Sequence, residues 1–287
     1  MKILITGASG LVGSRFVELH PRLSELSVPS QEELDITSLE SVKSYFRKYP
    51  CDAVVNFAAY TNVGEAEKQR GDKNGDCWKL NVEGVRNLMS VMKPDQFFVQ
   101  ISTDMVFPGS AQRPGPYSES DLAETDSSKV VWYGFTKGEA ERIVGNRGTI
   151  VRLIYPVRAK FTDKLDYLRK PLDLFNQGKL YPLFTDQQIS LTFIDETCQA
   201  LQKIIDQNLS GVFHMSCPDT ATPYEIITYL LQKLGKDISS VQKSSVDPKR
   251  YPKFGGLRVE ETERKLGIKF STWKKIVDKL VAQGISV

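Results

Sequence analysis

The sequence is poor in side chains that bind transition metals or attack as nucleophiles: its 287 residues hold two histidines and four cysteines. Cys51, Cys77, Cys198 and Cys217 share no Cys-x-x-Cys spacing, and His20 and His214 add no ligand cluster. No metal site is therefore expected, and the cysteines read as free thiols of a reducing compartment. No apolar run approaches membrane-spanning length, and Met1-Lys2 leads straight into a strand with no room for a signal peptide. The expected location is the cytoplasm, away from membranes. A formal net charge of +3, with the basic groups scattered, gives no electrostatic case for nucleic acid. Internal repeats and low-complexity tracts are missing as well.

What is present is an ordinary globular composition, 40% hydrophobic and 25% charged, enough to bury a sizeable core in one large domain or two. The chain is organised around Met1 to Gly13. Ile3 to Ile5 is too short for a helix and rich in β-branched residues, so it reads as a strand buried on both faces. Gly7, Gly10 and Gly13 follow at Gly-x-x-Gly-x-x-Gly spacing, and Leu11, Val12, Phe16, Val17 and Leu19 give the next segment a helical apolar period. In a dinucleotide-binding turn Gly7 leaves the strand, Gly10 admits a pyrophosphate to the backbone and Gly13 lets the helix pack on the sheet. The helix N-terminus is then an anion site.

Further strands alternate with helices. A weak strand near Leu26 to Val28 precedes a helix from about Leu39 to Lys48. Ala53 to Ala59 is a buried strand with small residues, Ala58 and Ala59, at its carboxyl end, where open α/β sheets bind their cofactors. Gln69 to Asp76 reads as an exposed polar insertion. After a helix carrying Leu80 to Leu88, strand Phe97 to Ile101 ends in Ser102-Thr103-Asp104. Ile150 to Pro156 looks like a sixth parallel strand, ending in a Tyr155-Pro156 turn. Helices near 164–177, 194–206, 223–234 and 271–283 and strands near 188–193 and 211–216 complete the pattern. The expected fold is α/β, a doubly wound parallel sheet over residues 1–155, with a smaller α/β substrate region over 156–287 partly interleaved with it.

An acidic residue closing the second strand would hold a ribose 2′-hydroxyl and select NAD. Pro29-Ser30-Gln31 stands there instead. NADPH is therefore the expected cofactor, with NADH the alternative, and Arg15 could meet a 2′-phosphate or be a solvated helix arginine. Tyr133-Gly-Phe-Thr-Lys137 places a tyrosine and a lysine on one helix face. The lysine charge would lower the tyrosine pKa from about 10 and make Tyr133 a usable proton donor. Tyr229 and Lys233 repeat the spacing inside an amphipathic pattern and read as a surface helix with a solvated lysine. His214, on an apolar strand, reads as a core histidine. The basic stretch Lys249 to Lys253 could contact a diphosphate or be a solvated loop.

Together, Thr6 to Gly13, Asn56 to Glu67, Ile101 to Gly109, Tyr133 to Lys137 and Val151-Arg152 resemble the dTDP-4-dehydrorhamnose reductases and related sugar-nucleotide reductases of the extended short-chain dehydrogenase/reductase family. The resemblance implies a Rossmann fold and NADPH-dependent reduction of the C4 keto group of a nucleotide-linked 4-keto-6-deoxy sugar. It implies Thr103, Tyr133 and Lys137 as catalytic groups, supported by Asp104. On the cofactor side it adds Ser9, Leu11, Val12, Asp35, Ile36 and Tyr60 to the glycines, Ala58, Ala59, Tyr133 and Lys137. On the substrate side it points to Val106, Phe107 and Tyr155, and it allows a homodimer. Departures lie on the substrate side: Met105 where these reductases usually carry tyrosine, Gly64 for aspartate, and Leu153-Ile-Tyr155 for a Thr-Ser-Trp run.

Two other readings stay open. One is a non-catalytic NADP-binding regulatory subunit, resembling the β subunit of methionine adenosyltransferase. The other is a sugar-nucleotide epimerase. Dehydration is disfavoured, because Thr103 is followed by a single carboxylate.

Overall fold

In the computed structural model, which describes residues 1–247 and 251–287, Ile3, Leu4 and Ile5 are at most 1% exposed in β1 (Ile3–Thr6). Chain order then runs α1 (Leu11–Leu19), β2 (Leu26–Ser27), α2 (Leu39–Lys48), β3 (Ala53–Asn56), α3 (Val63–Glu67) and α4 (Asp76–Trp78). A π-helical turn at Lys79–Glu83 leads into α5 (Gly84–Val91), then β4 (Phe97–Thr103) and a 3₁₀ turn at Asp104–Val106. α6 (Trp132–Val144) and β5 (Thr149–Leu153) follow, then β6 (Pro156–Val157), α7 (Arg169–Asn176), β7 (Leu183–Phe184) and β8 (Thr192–Phe193). The chain closes with α8 (Ile194–Asp206), β9 (Gly211–Met215), α9 (Pro223–Lys233), β10 (Lys243–Ser244), α10 (Glu260–Leu266) and α11 (Trp273–Ala282).

Six strands form one parallel sheet in the order β2-β1-β3-β4-β5-β9, the doubly wound α/β arrangement expected from the alternating pattern. Every residue of β1 and β3 is buried, which explains their unbroken apolar runs. Register pairs Ile3 to Thr6 with Ala53 to Asn56, and those in turn with Phe97 to Gln100. Three side chains tie the same strands together: Thr6 donates to Asn56 Oδ1 at 2.5 Å, and Asn56 Nδ2 donates to Gln100 Oε1 at 2.8 Å. The strand near Ile150 is the fifth of this sheet in chain order, not the sixth, and β9 takes the edge position beyond it.

The chain divides into two units. The first comprises residues 1–107, 122–152 and 198–213; the second comprises 108–121, 153–197 and 214–287. The two units interleave at two places besides the break after Arg152. Much of α8 and β9 returns to the first unit because β9 completes its sheet. Residues 108–121 belong to the second, where the Gly115 N–H donates to the Phe254 carbonyl and Tyr117 bridges Leu257. The second unit has its own core, which includes Leu168, Leu191, Ile226, Leu230, Val277 and Leu280, all at most 1% exposed. It also holds the two-stranded pairs β6-β8 and β7-β10. Among the described residues no helix is long and apolar enough to cross a membrane.

Candidate active site

The chain passes from β1 to β2 on one side of the sheet and returns to β3 on the other, so the crevice at the carboxyl ends of β1 and β3 is a topological switch point. Gly7 leaves β1 with φ +69°, and a Cβ there would stand 2.5 Å from the Ala58 nitrogen. A Cβ on Gly13 would overlap the Gly7 carbonyl oxygen. These contacts hold β1, β3 and α1 closer than any side chain would permit. Gly10 caps α1 without a side-chain hydrogen bond, and the first turn carries no acidic residue, so the positive end of the helix is not offset by a carboxylate of that turn. Ser9 and Gly10 are exposed there, while Leu11 and Val12 are half-buried. This cradle fits a dinucleotide pyrophosphate.

Around it, the other cofactor-side residues fall as follows. Ala58, Ala59 and Tyr60 are half-buried after β3. Arg15 lies on α1 and pairs with Glu18 at 3.0 Å. Asp35 accepts the Thr37 N–H and hydroxyl at 2.9 and 2.7 Å, and Ile36 is buried against Gly84, where an added Cβ would meet it at 2.8 Å. Beyond β2, Ser30 donates its N–H to Glu33 at 2.8 Å, so a carboxylate does stand one turn past the strand end, engaged in that turn.

Thr103 ends β4. Its Oγ1 accepts the Met105 N–H at 3.2 Å and donates to Asp104 Oδ1 at 3.0 Å. Tyr133, in the first turn of α6, is half-buried and shares a hydrogen bond with the Thr103 hydroxyl. Lys137, one turn on, is 2% exposed. The structure thus brings Thr103, Asp104 and Tyr133 together and seats Lys137 on the same helix face. Burial pushes the Asp104 carboxyl up to about 7, with the Thr103 hydrogen bond and local N–H groups opposing it. Lys137 is pushed down to about 8 by burial, against the charges of Glu141 and Cys77. The expected lowering of Tyr133 by Lys137 is reversed: burial, then the Asp104 charge, raises the phenol above its ordinary value, and the Thr103 bond offsets only part of this.

Three features that position Tyr133 were not legible in the sequence. Glu67 of α3 accepts the Trp132 N–H at 3.0 Å and so caps α6 from another helix. Arg70 grips Glu67 and donates to the Val130 carbonyl at 3.0 Å, fixing the approach to α6. Asn81, 1% exposed in the π-helical turn, donates to Thr136 Oγ1 at 3.0 Å and accepts the Tyr60 N–H at 2.8 Å. It thereby joins α6 to the segment after β3. The extra residue of a π turn leaves no mark on a helical apolar period, so only the Asn81 side chain itself hinted at it.

The three residues expected on the substrate side are placed as follows. Val106 and Phe107 are 1% and 2% exposed, and the Arg152 guanidinium lies over the Phe107 ring at 4.8 Å, so both serve the interior. Tyr155 takes φ +40° after β5 and packs on Tyr167 with ring centroids 4.2 Å apart. Of the basic stretch, Lys249 and Arg250 lie outside the described residues, and Lys253 pairs with Asp186 at 2.9 Å. Among the described residues no group of three or more metal-ligating side chains is assembled. His214 is fully buried, its Nδ1 2.9 Å from the Arg258 carbonyl oxygen.

Residues 1–285 match the RmlD substrate-binding domain family. A dTDP-4-keto-6-deoxy-D-glucose reductase of Streptomyces niveus is 30% identical over 245 residues, covering 83% of this chain and 81% of that protein. A dTDP-4-dehydrorhamnose reductase of Sinorhizobium fredii is 25% identical over 98% of this chain and 97% of its own. Among solved structures, dTDP-4-dehydrorhamnose reductase of Bacillus anthracis in complex with NADP superposes with a TM-score of 0.84 over 99% of both chains at 24% identity. Its Clostridium acetobutylicum counterpart gives 0.81 over 99% of both at 25%.

Proposed function

The chain belongs to the RmlD substrate-binding domain family, and on that premise we propose that it reduces the C4 keto group of a nucleotide-linked 4-keto-6-deoxy sugar with NADPH. The observation that carries this reading is the joint placement of Thr103, Asp104 and Tyr133 at the carboxyl end of the sheet, one turn ahead of a buried Lys137. Relatives at 30% and 25% identity are named as reductases of such sugars.

Gly7, Gly10, Gly13 and the N-terminus of α1 would hold the pyrophosphate, with Ala58 and Ala59 leaving room beside it. NADPH held there would supply the hydride for C4. Tyr133 gives its proton to the oxygen that becomes the alcohol, and a phenol held above its ordinary pKa is protonated at neutral pH, as a donor must be. The Thr103 hydroxyl, already engaged with Tyr133, hydrogen-bonds the same oxygen and holds it within reach of the phenol. Lys137, one turn along α6, would stabilise the charge left on Tyr133 once the proton has gone. Arg15 would meet a 2′-phosphate by exchanging Glu18 for it, which supports NADPH over NADH.

Mixing the purified protein with NADPH and dTDP-4-dehydrorhamnose, and analysing the sugar by NMR, tests the assignment. A new C4–H signal in the product supports it. Unchanged sugar, with NADPH bound but not consumed, removes it.

A further inference from the structure

Behind the candidate catalytic groups lies a buried charge cluster. Glu141 is one turn past Lys137 on α6, so Tyr133, Lys137 and Glu141 follow one another at four-residue intervals on one helix face. The Glu141 carboxylate is 5% exposed and fully engaged. Oε1 accepts the Ser102 hydroxyl at 2.6 Å and Arg152 Nε at 3.0 Å, and Oε2 accepts Arg152 Nη2 at 2.7 Å. Ser102 is the residue before Thr103 on β4, and Arg152 lies on β5, 3% exposed, with its guanidinium over the Phe107 ring. One carboxylate therefore fastens α6 to two strands, one of which, β4, ends in Thr103.

A buried ion pair is weak grounds for stability, because desolvating two charges offsets most of their attraction. What such a pair does supply is fixed geometry and a fixed local charge. We propose that Glu141 is a positioning residue for the reduction: its clamp to Ser102 and Arg152 holds the Thr103 strand end against the Tyr133–Lys137 face of α6, with the carboxylate one turn along the helix from Lys137. This rests on the reductase reading for its consequence in catalysis, although not for its effect on Lys137.

Two groups act on Lys137 by charge, Glu141 one turn on along α6 and Cys77 from α4, while Asp104, in the turn after β4, acts on Tyr133. Burial depresses Lys137, and Glu141 followed by Cys77 opposes this. Burial raises the Cys77 thiol, which leaves the Glu141 carboxylate, one turn along α6, as the main charge opposing the effect of burial on Lys137.

The test follows the Lys137 titration by NMR in protein carrying ¹³C-labelled lysine, its resonance assigned by its loss in Lys137→Met. In Glu141→Gln the midpoint falls by about one unit, and the alkaline limb of kcat falls with it. Should Glu141→Gln fail to fold, Glu141→Gln/Arg152→Met removes both charges together and gives a smaller downward shift, because the guanidinium that itself disfavours the ammonium goes with the carboxylate. Ser102→Ala loosens the clamp but keeps the charge, so its Lys137 midpoint stays at the parental value while kcat drops severalfold at unchanged KM. An unmoved midpoint in the folded Glu141 variant, or a parental kcat in Ser102→Ala, overturns the proposal. Lack of turnover in the parent overturns the reductase reading alone, since the NMR midpoint is read without substrate.

Discussion

Gly134 and Met105 approach so closely that a Cβ on Gly134 would overlap the Met105 carbonyl oxygen. The glycine is the third residue of α6 and the methionine sits in the turn after β4, so this contact seats Tyr133 beside Thr103. Gly134→Ala must push the helix off that turn. We expect it to lower kcat by about 100-fold, the scale of a displacement of about 1 Å at a reacting group, with a stability loss of about 1–3 kcal/mol. Steady-state kinetics beside denaturant unfolding check both figures, and an unchanged kcat would show that the contact is not needed for placement.

Gly7→Ala would lose the dinucleotide. Its φ of +69° and the Ala58 backbone 2.5 Å away leave no place for a methyl group, and strain of about 1–3 kcal/mol falls on the loop that faces the pyrophosphate. Fluorescence titration should show NADPH affinity down by about tenfold or more. Arg15→Ala, by contrast, should weaken NADPH while leaving NADH unchanged, because only the first carries a 2′-phosphate. Equal weakening of both would remove Arg15 from that role.

Asp104 makes stability depend on pH in a defined direction. Its carboxyl is raised by burial from the ordinary value near 3.8 to about 7, so between those values the folded chain binds a proton that the unfolded chain has released. Its contribution is fully present below about pH 4 and is lost as pH rises through 7. Asp104→Asn removes the burden of the charge, so its Tm should exceed the parent by about 2–4 °C at pH 8 and match it at pH 4. Lys137, lowered to about 8, acts oppositely: its burial penalty is absent above its unfolded pKa and grows as pH falls through 8. Scanning calorimetry of parent and Asp104→Asn at the two pH values separates these contributions.

In the second unit, Arg169 is 1% exposed and pairs with Asp166 at 2.8 Å while donating to the Phe161 and Lys164 carbonyls. Arg169→Met strands the Asp166 carboxylate in the interior. Breaking a buried pair from one side costs about 3–5 kcal/mol, and urea unfolding should report a loss of that order. A loss below about 1 kcal/mol would mean that the backbone N–H donors of Arg158, Leu168 and Arg169 suffice for Asp166.

Much of this architecture was legible in the sequence because it is written in local spacing. Gly7, Gly10 and Gly13 announce the turn, and the buried runs of β1 and β3 announce a parallel sheet. Tyr229 and Lys233 show why spacing alone is not enough: both bond Asp278 of α11 on an exposed face, and Lys233 is the surface lysine that the amphipathic pattern predicted. What escaped is whatever depends on partners distant in sequence. Glu67 capping α6, Asn81 bridging to Tyr60 and Glu141 clamping β4 and β5 all join residues that only the fold brings together. The two-residue strands β6, β7 and β10 carry too little period to be seen.

The most direct test of the account compares NADPH consumption by the parent and by Tyr133→Phe in the presence of dTDP-4-dehydrorhamnose, with NADPH binding measured in both. We expect the parent to oxidise one NADPH per sugar, and the variant to bind NADPH as tightly while turning over about 10²–10⁴-fold more slowly. A variant that keeps the parental rate would contradict Tyr133 as the proton donor, and a parent that binds both ligands without consuming NADPH would contradict the reductase itself.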